Sequence, residues 1–369
     1  MVVRRLTSHQ VQKLEKHVYK SEGVSLLDPY LQVCWEWMFT HIPLWVHPNV
    51  LTVCGLMANF IAALFVIYYD PNILGKAPQW VFLLCAVNTF IYQSLDALDG
   101  KQARRSDCDD PLAELFDHGC DSMSNIFVLL CCGSALGLSE SPNMFLALMA
   151  LQLSVFYCCH WQCHSIERMR VRWIDVTEAQ LLIMAVHMIT FLGGVDTWRM
   201  MIFGKFELRN LLLTAVSLSG MINICQCLVA IMTDGRKIKG NNITILYPAI
   251  PLAAVLIGGF SYSCWSQFNE SNVLLYVMVF GVPLVKLTIT LIVSCITETL
   301  MPPFDLTMLA PLVAFSNIYF NFLLSEYLLF ALLSVFTLVD LLFSYTFYCR
   351  EISGHLNLAV FSLPKPSKQ

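Results

Sequence analysis

The sequence predicts an all-α, polytopic integral membrane protein with about ten transmembrane helices. Of its 369 residues, 57% are hydrophobic and only 13% are charged, and the mean hydropathy is +0.64. This composition is far more apolar than that of a soluble domain. The apolar residues are gathered in runs of about 20, the length that a helix needs to cross the hydrocarbon core of a bilayer.

These runs divide the chain into an interfacial N-terminal segment (residues 1–47), a ten-helix membrane domain (48–349) and a tail (350–369). The spans are predicted at 51–69, 80–97, 120–138, 144–163, 179–197, 210–232, 245–264, 273–296, 305–317 and 326–348. The N-terminal segment mixes tryptophans with polar residues, as amphipathic segments in the membrane interface do. Asn49 is the expected N-cap of the first span.

The distribution of Lys and Arg orients this topology. Of the 22 basic residues, 17 lie on the side that holds both termini, and four lie on the opposite side. Because cytoplasmic loops retain an excess of positive charge, we expect both termini to be cytoplasmic. The remaining one, Lys286, lies inside a predicted span, as does Asp340. Charges at such positions are costly, and they are either functional or paired structurally.

Four aspartates between residues 96 and 121 stand at helical spacing where an apolar run meets a basic loop. Asp96 and Asp99 are three residues apart, which places both on one face of a helix. Asp117 and Asp121 are four residues apart, so this second pair also shares a face, and the two pairs can converge on one point. Clustered carboxylates need a cation, and a hard divalent metal such as Mg²⁺ or Mn²⁺ is the natural partner.

The segment between the two pairs carries groups that suit a phosphate. Lys101, Arg104 and Arg105 lie in a predicted loop directly after Gly100. A planar guanidinium can bind a phosphate through two hydrogen bonds while a metal neutralises the neighbouring oxygens. A glycine leaves space for a close approach of the backbone to the ligand. The pattern therefore predicts a pyrophosphate site.

Glu114 and His118 are four residues apart on the helix that carries the second aspartate pair. A carboxylate at this spacing can orient an imidazole, which can then take a proton from an attacking hydroxyl. The alternative is that His118 is a polar residue without a catalytic role. A further group of Cys and His over residues 158–164 resembles a zinc site, but it covers more than one face of a helix, which favours simple packing.

The same residues resemble the signature of the CDP-alcohol phosphotransferase family, D-x2-D-G-x2-A-R-x8-G-x3-D-x3-D. Seven of its eight fixed positions are matched, by Asp96, Asp99, Gly100, Ala103, Arg104, Asp117 and Asp121. Ala113 stands where the family has glycine. The resemblance covers nearly the whole chain, through segments such as CWEWMFTHIPLWVHPN, PLAELFDHGCDS and YCREISGHLNLAVF. It points to the eukaryotic cholinephosphotransferase and choline/ethanolaminephosphotransferase branch.

The resemblance implies an enzyme and a reaction. The hydroxyl of diacylglycerol attacks the phosphorus next to choline or ethanolamine in CDP-choline or CDP-ethanolamine. The products are phosphatidylcholine or phosphatidylethanolamine and CMP. The resemblance also implies ten spans, a homodimer, and a place in endoplasmic reticulum or Golgi membranes. We expect no nucleic-acid partner.

The resemblance further implies roles for single residues. Two divalent ions, Mg²⁺ or Mn²⁺, are assigned to Asp96, Asp99, Asp117 and Asp121. The nucleotide and its phosphates are assigned to Gly100, Ala103, Arg104, Asn49 and Asn59. The base is either Asp121, as in the bacterial branch, or His118 oriented by Glu114. We favour His118, because a metal-bound carboxylate is a poor base for an alcohol.

Three other functions are alternatives to this one. A secondary transporter also carries intramembrane carboxylates, but it places them near the bilayer midplane in two related halves, whereas here they lie at a boundary in one half only. Ala113 makes a non-catalytic membrane homologue conceivable. A family member with another acceptor, inositol or glycerol phosphate, is the nearest rival, and the full-length resemblance argues against it.

Overall fold

The computed structural model describes residues 5–140, 142–202, 204–235 and 242–363. Within these residues the chain is a helical bundle with two pairs of two-residue strands. The helices are α1 (Ser8–Leu14), α2 (Asp28–Phe39), α3 (Pro48–Tyr69), α4 (Gln79–Arg105), α5 (Pro111–Ala135), α6 (Pro142–Ile166), α7 (Val176–Gly193), α8 (Leu208–Asp234), α9 (Ala249–Trp265), α10 (Phe268–Ser271), α11 (Val273–Tyr276), α12 (Val282–Ile296), α13 (Leu309–Tyr319) and α14 (Glu326–Leu356). Strand β1 (Ser21–Glu22) pairs with β2 (Met169–Arg170) in parallel, and β3 (Met201–Ile202) pairs with β4 (Phe206–Glu207) in an antiparallel arrangement.

Eight helices in the described part of the chain are long and apolar enough to cross a membrane. They coincide with eight of the ten predicted spans, and the prediction of an all-α integral membrane protein is confirmed. The predicted span 305–317 forms a shorter apolar helix at Leu306–Tyr319. The predicted span 120–138 lies in α5, a 25-residue helix whose first half carries the acidic residues Glu114, Asp117 and Asp121. Residues 236–241 of the predicted cytoplasmic loop and 364–369 of the tail lie outside the described residues.

The helical segment Val273–Ile296 forms the centre of the bundle. Its apolar window is 94% buried, whereas the corresponding share for the other spanning helices does not exceed 56%. Its second half, α12, packs against α5, α6 and α14. A π-helical turn at Val277–Gly281 joins the two halves of the segment. The remaining helices therefore surround this one and leave much of their own surface to lipid.

Lys286 and Asp340, two charged residues inside predicted spans, are paired with each other. Lys286 Nζ lies 2.5 Å from an Asp340 carboxylate oxygen and 2.6 Å from an Asp305 carboxylate oxygen. Lys286 and Asp340 are each 4% exposed. Because a buried charge that loses its partner is strongly unfavourable, this cluster is a structural connection between α12, α14 and the loop before α13.

Helix α4 continues further than predicted. The predicted span ends at residue 97, but the helix runs to Arg105, so the basic residues expected in a loop lie in its last turns. The helix ends where Asp107 adopts a positive φ of 58°. Asp110 then caps α5 by accepting hydrogen bonds from the amides of Leu112 and Ala113, both at 2.9 Å. A short connection of residues 106–110 thus joins α4 and α5.

Part of the predicted interfacial segment packs on the protein. We call residues 7–27 the N-terminal strap. Leu14 on α1 is 1% exposed and belongs to the hydrophobic core. The strap continues into β1, and the Leu27 amide donates a 2.8 Å hydrogen bond to the Glu178 carboxylate at the start of α7. The following helix α2 carries the exposed aromatic residues Tyr30 and Trp37, as an interfacial helix does.

Candidate active site

The two aspartate pairs meet across α4 and α5. Single carboxylate oxygens of Asp96, Asp99 and Asp117 all lie within 4.8 Å of one another. One ligand atom each from Asp117, His118 and Asp121 forms a second group of the same size. Asp117 belongs to both groups and therefore joins them. The two aspartate pairs therefore converge, as their helical spacing predicts.

This cluster has the chemistry of a divalent metal site. The Oδ1 atom of Asp117 is buried and has no hydrogen-bond partner among the described residues. Several carboxylates close together repel one another unless a cation compensates their charge. Hard divalent cations prefer ligands of this kind, so the cluster could hold such a metal.

Two hydroxyl groups that we did not predict support the cluster. The Thr52 hydroxyl on α3 donates a 2.5 Å hydrogen bond to Asp99. The Tyr92 hydroxyl on α4 donates a 2.6 Å hydrogen bond to Asp121. Tyr92 precedes Asp96 by four residues, a spacing that places it on the same face of α4 and that could have identified it. These bonds fix the orientation of one carboxylate from each pair.

Gly100 and Arg104 leave one side of the cluster open. Arg104 is exposed and makes no hydrogen bond or ion pair within the described residues. A Cβ atom added at Gly100 would meet only the Arg104 guanidinium, at 3.7 Å. Packing therefore does not demand glycine here, although glycine in a helix costs about 1 kcal/mol relative to alanine. A ligand that approaches the helix backbone beside Arg104 would explain why residue 100 is a glycine.

The two neighbouring basic residues are used differently. Lys101 Nζ lies 2.9 Å from the Glu36 carboxylate on α2. The Arg105 guanidinium donates to the Ile42 carbonyl at 2.8 Å and lies over the Phe39 ring, 4.3 Å from its centroid. Both side chains thus hold the interfacial helix on α4. Of these three basic groups, the exposed guanidinium of Arg104 is the one available to a ligand.

No hydrogen bond joins Glu114 and His118 within the described residues, and the role of Glu114 in orienting His118 stays a prediction. The Glu114 carboxylate lies 2.6 Å from His17 Nε2, on the N-terminal strap. His118 instead turns Nδ1 towards two aspartates, 3.7 Å from Asp117 Oδ2 and 3.9 Å from Asp121 Oδ2. The i,i+4 spacing is satisfied, but a residue far away in the sequence takes the carboxylate.

The His118 ring contacts two further rings that we did not predict. Its centroid lies 5.6 Å from that of Tyr19 on the strap and 5.1 Å from that of His160 on α6. His160 Nδ1 bonds to the Phe156 carbonyl at 2.9 Å, and because a carbonyl only accepts, Nδ1 carries the hydrogen. Its Nε2 atom is buried and without a partner among the described residues. His160 comes from the group that we interpreted as helix packing.

The remaining predicted site residues are engaged within the protein. The Asn49 side chain donates to the Val360 carbonyl at 2.9 Å, and the Asn59 side chain donates to the Ser124 hydroxyl at 2.6 Å. Asn49 is not the N-cap of α3, since the His47 ring accepts from its backbone amide at 3.2 Å. That Asn49 and Asn59 line the nucleotide site stays a prediction.

The two alanines of the signature region differ in environment. Ala103 is buried, 6% exposed, on the inner face of α4. Ala113 lies half-buried in the first turn of α5, where its amide bonds to Asp110. The methyl group that replaces the family's glycine is accommodated there without disrupting the helix start.

Together the fold and the cluster define a polytopic membrane protein whose acidic centre could hold a divalent cation beside a free arginine and an imidazole. The family model of the CDP-alcohol phosphatidyltransferases matches residues 45–232. Cholinephosphotransferase 1 of Homo sapiens is 35% identical over 364 residues, which are 96% of this chain and 89% of that protein. The chain belongs to the CDP-alcohol phosphatidyltransferase family, which is a family of enzymes.

Two further relatives also match most of this chain. Cholinephosphotransferase 1 of Danio rerio is 34% identical over 97% of this chain and 95% of its own length. An uncharacterised class-I CDP-alcohol phosphatidyltransferase family protein of Dictyostelium discoideum is 31% identical over 80% of this chain and 78% of its own length. The resemblance inferred from the signature is confirmed, and it extends well beyond the motif.

Proposed function

We propose that this protein transfers phosphocholine, phosphoethanolamine or both from the CDP-alcohol to diacylglycerol. The products are phosphatidylcholine or phosphatidylethanolamine and CMP. The observation that supports this most strongly is the joined cluster of Asp96, Asp99, Asp117 and Asp121 with His118 at its edge. The similarity to relatives named cholinephosphotransferase supports choline as the alcohol.

The four aspartates would hold the divalent metal, which we propose to be Mg²⁺ or Mn²⁺. When bound, the cation supplies positive charge that compensates the pyrophosphate of the CDP-alcohol. Arg104 binds a phosphate oxygen pair through its planar guanidinium, and the open side of Gly100 lets the pyrophosphate lie against α4. Thr52 and Tyr92 keep two carboxylates in place by hydrogen bonds.

His118 is the base in this proposal. Its Nδ1 side faces Asp117 and Asp121, so Nε2 is the atom left for the lipid hydroxyl. Nε2 takes the hydroxyl proton while the lipid oxygen attacks the phosphorus that carries choline. The bond between this phosphorus and the oxygen of CMP breaks, and CMP leaves. Asp121 is less suited as the base, since one of its oxygens accepts from Tyr92 and a metal-bound carboxylate is a poor base for an alcohol.

The charge distribution supports a cytoplasmic site. The basic residues predominate on the side that holds the termini and the ends of α4 and α5. A soluble nucleotide would enter from this side, and the lipid acceptor would arrive laterally from the bilayer. We propose endoplasmic reticulum or Golgi membranes as the location and a homodimer as the assembly, following the family resemblance.

The test is a transfer assay with the full-length protein in detergent micelles. Radiolabelled CDP-choline, diacylglycerol and Mg²⁺ should give CMP and labelled phosphatidylcholine, and removal of the metal by EDTA should stop the reaction. A parallel assay with Asp117→Asn controls for contaminating activity. Absence of CMP release with every CDP-alcohol offered would disprove the proposal. Product formed only with inositol or glycerol phosphate as acceptor would replace it with the nearest rival.

A further inference from the structure

Two residues of the N-terminal strap reach the part of α5 that carries the proposed base. His17 Nε2 bonds to Glu114 at 2.6 Å. The Tyr19 ring contacts His118, with a centroid distance of 5.6 Å and an interplanar angle of 56°. The strap therefore lies against the active-site helix, although a segment of this composition was expected in the membrane interface.

The position of the strap is fixed on both sides of these contacts. Before them, Leu14 is buried in the core at 1% exposure. After them, the Lys20 carbonyl accepts from the Met169 amide and the Glu22 carbonyl accepts from the Val171 amide, each at 2.8 Å. These bonds continue the parallel pairing of β1 with β2. Tyr19 is thus held beside His118 by packing and by backbone hydrogen bonds.

The Tyr19 ring offers an aromatic face and lies close to acidic side chains. Tyr19 as a residue is 38% exposed, so it lies at the edge of the site and not in the core. Burial of the phenol, together with the nearby Asp117 and Glu114, raises the pKa of Tyr19 above its usual value. The ring is therefore a neutral phenol beside several carboxylates. An aromatic face in such a setting attracts a cation.

The proposed reaction brings a cationic group close to His118 and Tyr19. A base must come within about 3 Å of the hydroxyl whose proton it takes, so the attacked phosphorus lies next to His118. The aspartates and Arg104 occupy the pyrophosphate side of that phosphorus. The alcohol headgroup is attached to the same phosphorus. A headgroup that extends from there away from the aspartates would meet the strap at Tyr19, whose ring contacts His118.

We propose that the Tyr19 ring contacts the cationic headgroup of the CDP-alcohol and sets the preference for a quaternary over a primary ammonium. This inference rests on the proposed function. A trimethylammonium group has no N–H to donate, so it depends on aromatic faces and diffuse negative charge. A primary ammonium can instead donate three hydrogen bonds to carboxylates, and it depends less on the ring. Tyr19 is accordingly a specificity-determining residue.

The test compares kcat/KM for CDP-choline and CDP-ethanolamine in the full-length protein with diacylglycerol and Mg²⁺. Tyr19→Leu should lower the value for CDP-choline about five- to thirtyfold and that for CDP-ethanolamine less than about threefold. Tyr19→Phe, which keeps the ring, should stay close to the wild type in the ratio of the two. Tyr30→Leu is the matched control, because Tyr30 is a 75% exposed tyrosine of the same N-terminal segment.

The outcomes separate this inference from the proposed function. Wild-type protein that is active with either donor upholds the function. If Tyr19→Leu then lowers both values equally, or neither, the headgroup contact is refuted. Wild-type protein inactive with both donors refutes the function and the inference with it. Should Tyr19→Leu fail to fold, Tyr19→Trp decides: the stronger cation binder should keep or raise the preference for choline, and a loss of preference overturns the proposal.

Discussion

His17 and Glu114 form a hydrogen bond of 2.6 Å between Nε2 and a carboxylate oxygen, although 97 residues separate them in the sequence. Both side chains are largely removed from water, with 14% and 8% of their side-chain surface exposed. A bond to a charged group in such surroundings contributes about 1.5–3 kcal/mol. It connects the N-terminal strap to the helix that carries Asp117, His118 and Asp121.

This bond predicts that His17 and Glu114 act as one unit. We expect His17→Ala and Glu114→Ala to lower kcat/KM by similar factors, about 10–100-fold, because either change releases the strap. The double variant should be scarcely worse than each single one, which a double-mutant cycle on transfer rates measures. If Glu114 acted directly on His118, Glu114→Ala would be far more damaging than His17→Ala. Lys13→Ala, at the exposed pair with Glu298, is the control.

Contacts between consecutive helices could be predicted from the sequence, whereas contacts between distant segments could not. The metal-binding pairs could be predicted because α4 and α5 are consecutive helices with a short connection, so faces defined by i,i+3 and i,i+4 spacing meet. The partner of Glu114 could not, since local spacing does not reveal a competing residue from a distant segment. Thr52 and His160 were missed for the same reason: their contacts depend on how α3 and α6 pack against the site.

Asp117 should respond to metal in a way that its neighbours do not. We expect Asp117→Asn to lower CMP release by more than about 100-fold, because this residue joins both groups of ligands. In EDTA the same change should raise the melting temperature, since it removes a half-buried carboxylate from a repelling cluster. Mg²⁺ or Mn²⁺ should stabilise the wild type, by about 2.7 kcal/mol at 100 times Kd, but not this variant.

The control for this prediction is Asp109→Asn, an exposed acidic residue in the connection between α4 and α5. It should keep both activity and stabilisation by metal. Thermal unfolding in detergent, with and without each cation, is the measurement. Equal stabilisation of wild type and Asp117→Asn by metal would contradict the assignment of Asp117.

Arg104 and Arg105 are neighbours with opposite expected phenotypes. Arg104→Lys keeps the charge but loses the planar pair of donors, so KM for CDP-choline should rise about 10–100-fold with an unchanged melting temperature. Arg105→Lys should lower the melting temperature, because Arg105 contacts Phe39 and the Ile42 carbonyl, and change KM little. Steady-state kinetics and thermal unfolding of both variants distinguish them. A reversed pattern would show that Arg105 is the phosphate ligand.

Gly100 and Gly119 offer a similar contrast. Gly100→Ala places its methyl group in ordinary contact with the Arg104 guanidinium at 3.7 Å and clashes with nothing, so the protein should fold and gain up to about 1 kcal/mol of helix stability. The methyl group should nevertheless raise KM for the CDP-alcohol, because it fills the approach of the pyrophosphate. Gly119→Ala would bring its Cβ within 2.4 Å of the Tyr345 ring, and it should lower stability instead. Unchanged KM in Gly100→Ala would exclude a close ligand approach at this helix.

Because His47 caps α3, the stability of the folded protein should depend on pH. Its ring nitrogen accepts from the Asn49 amide at the start of α3, which requires a neutral imidazole. Burial lowers the pKa of His47 below its usual value of about 6.5, so the unfolded chain takes up the proton before the folded protein does. The contribution of this cap is therefore complete above pH 6.5 and is lost as the pH falls from there towards the lowered pKa. Asparagine caps a helix at any pH, so His47→Asn should flatten this part of the curve, measured as melting temperature between pH 5.5 and 7.5. Parallel curves for the two proteins would show that the cap does not titrate in this range.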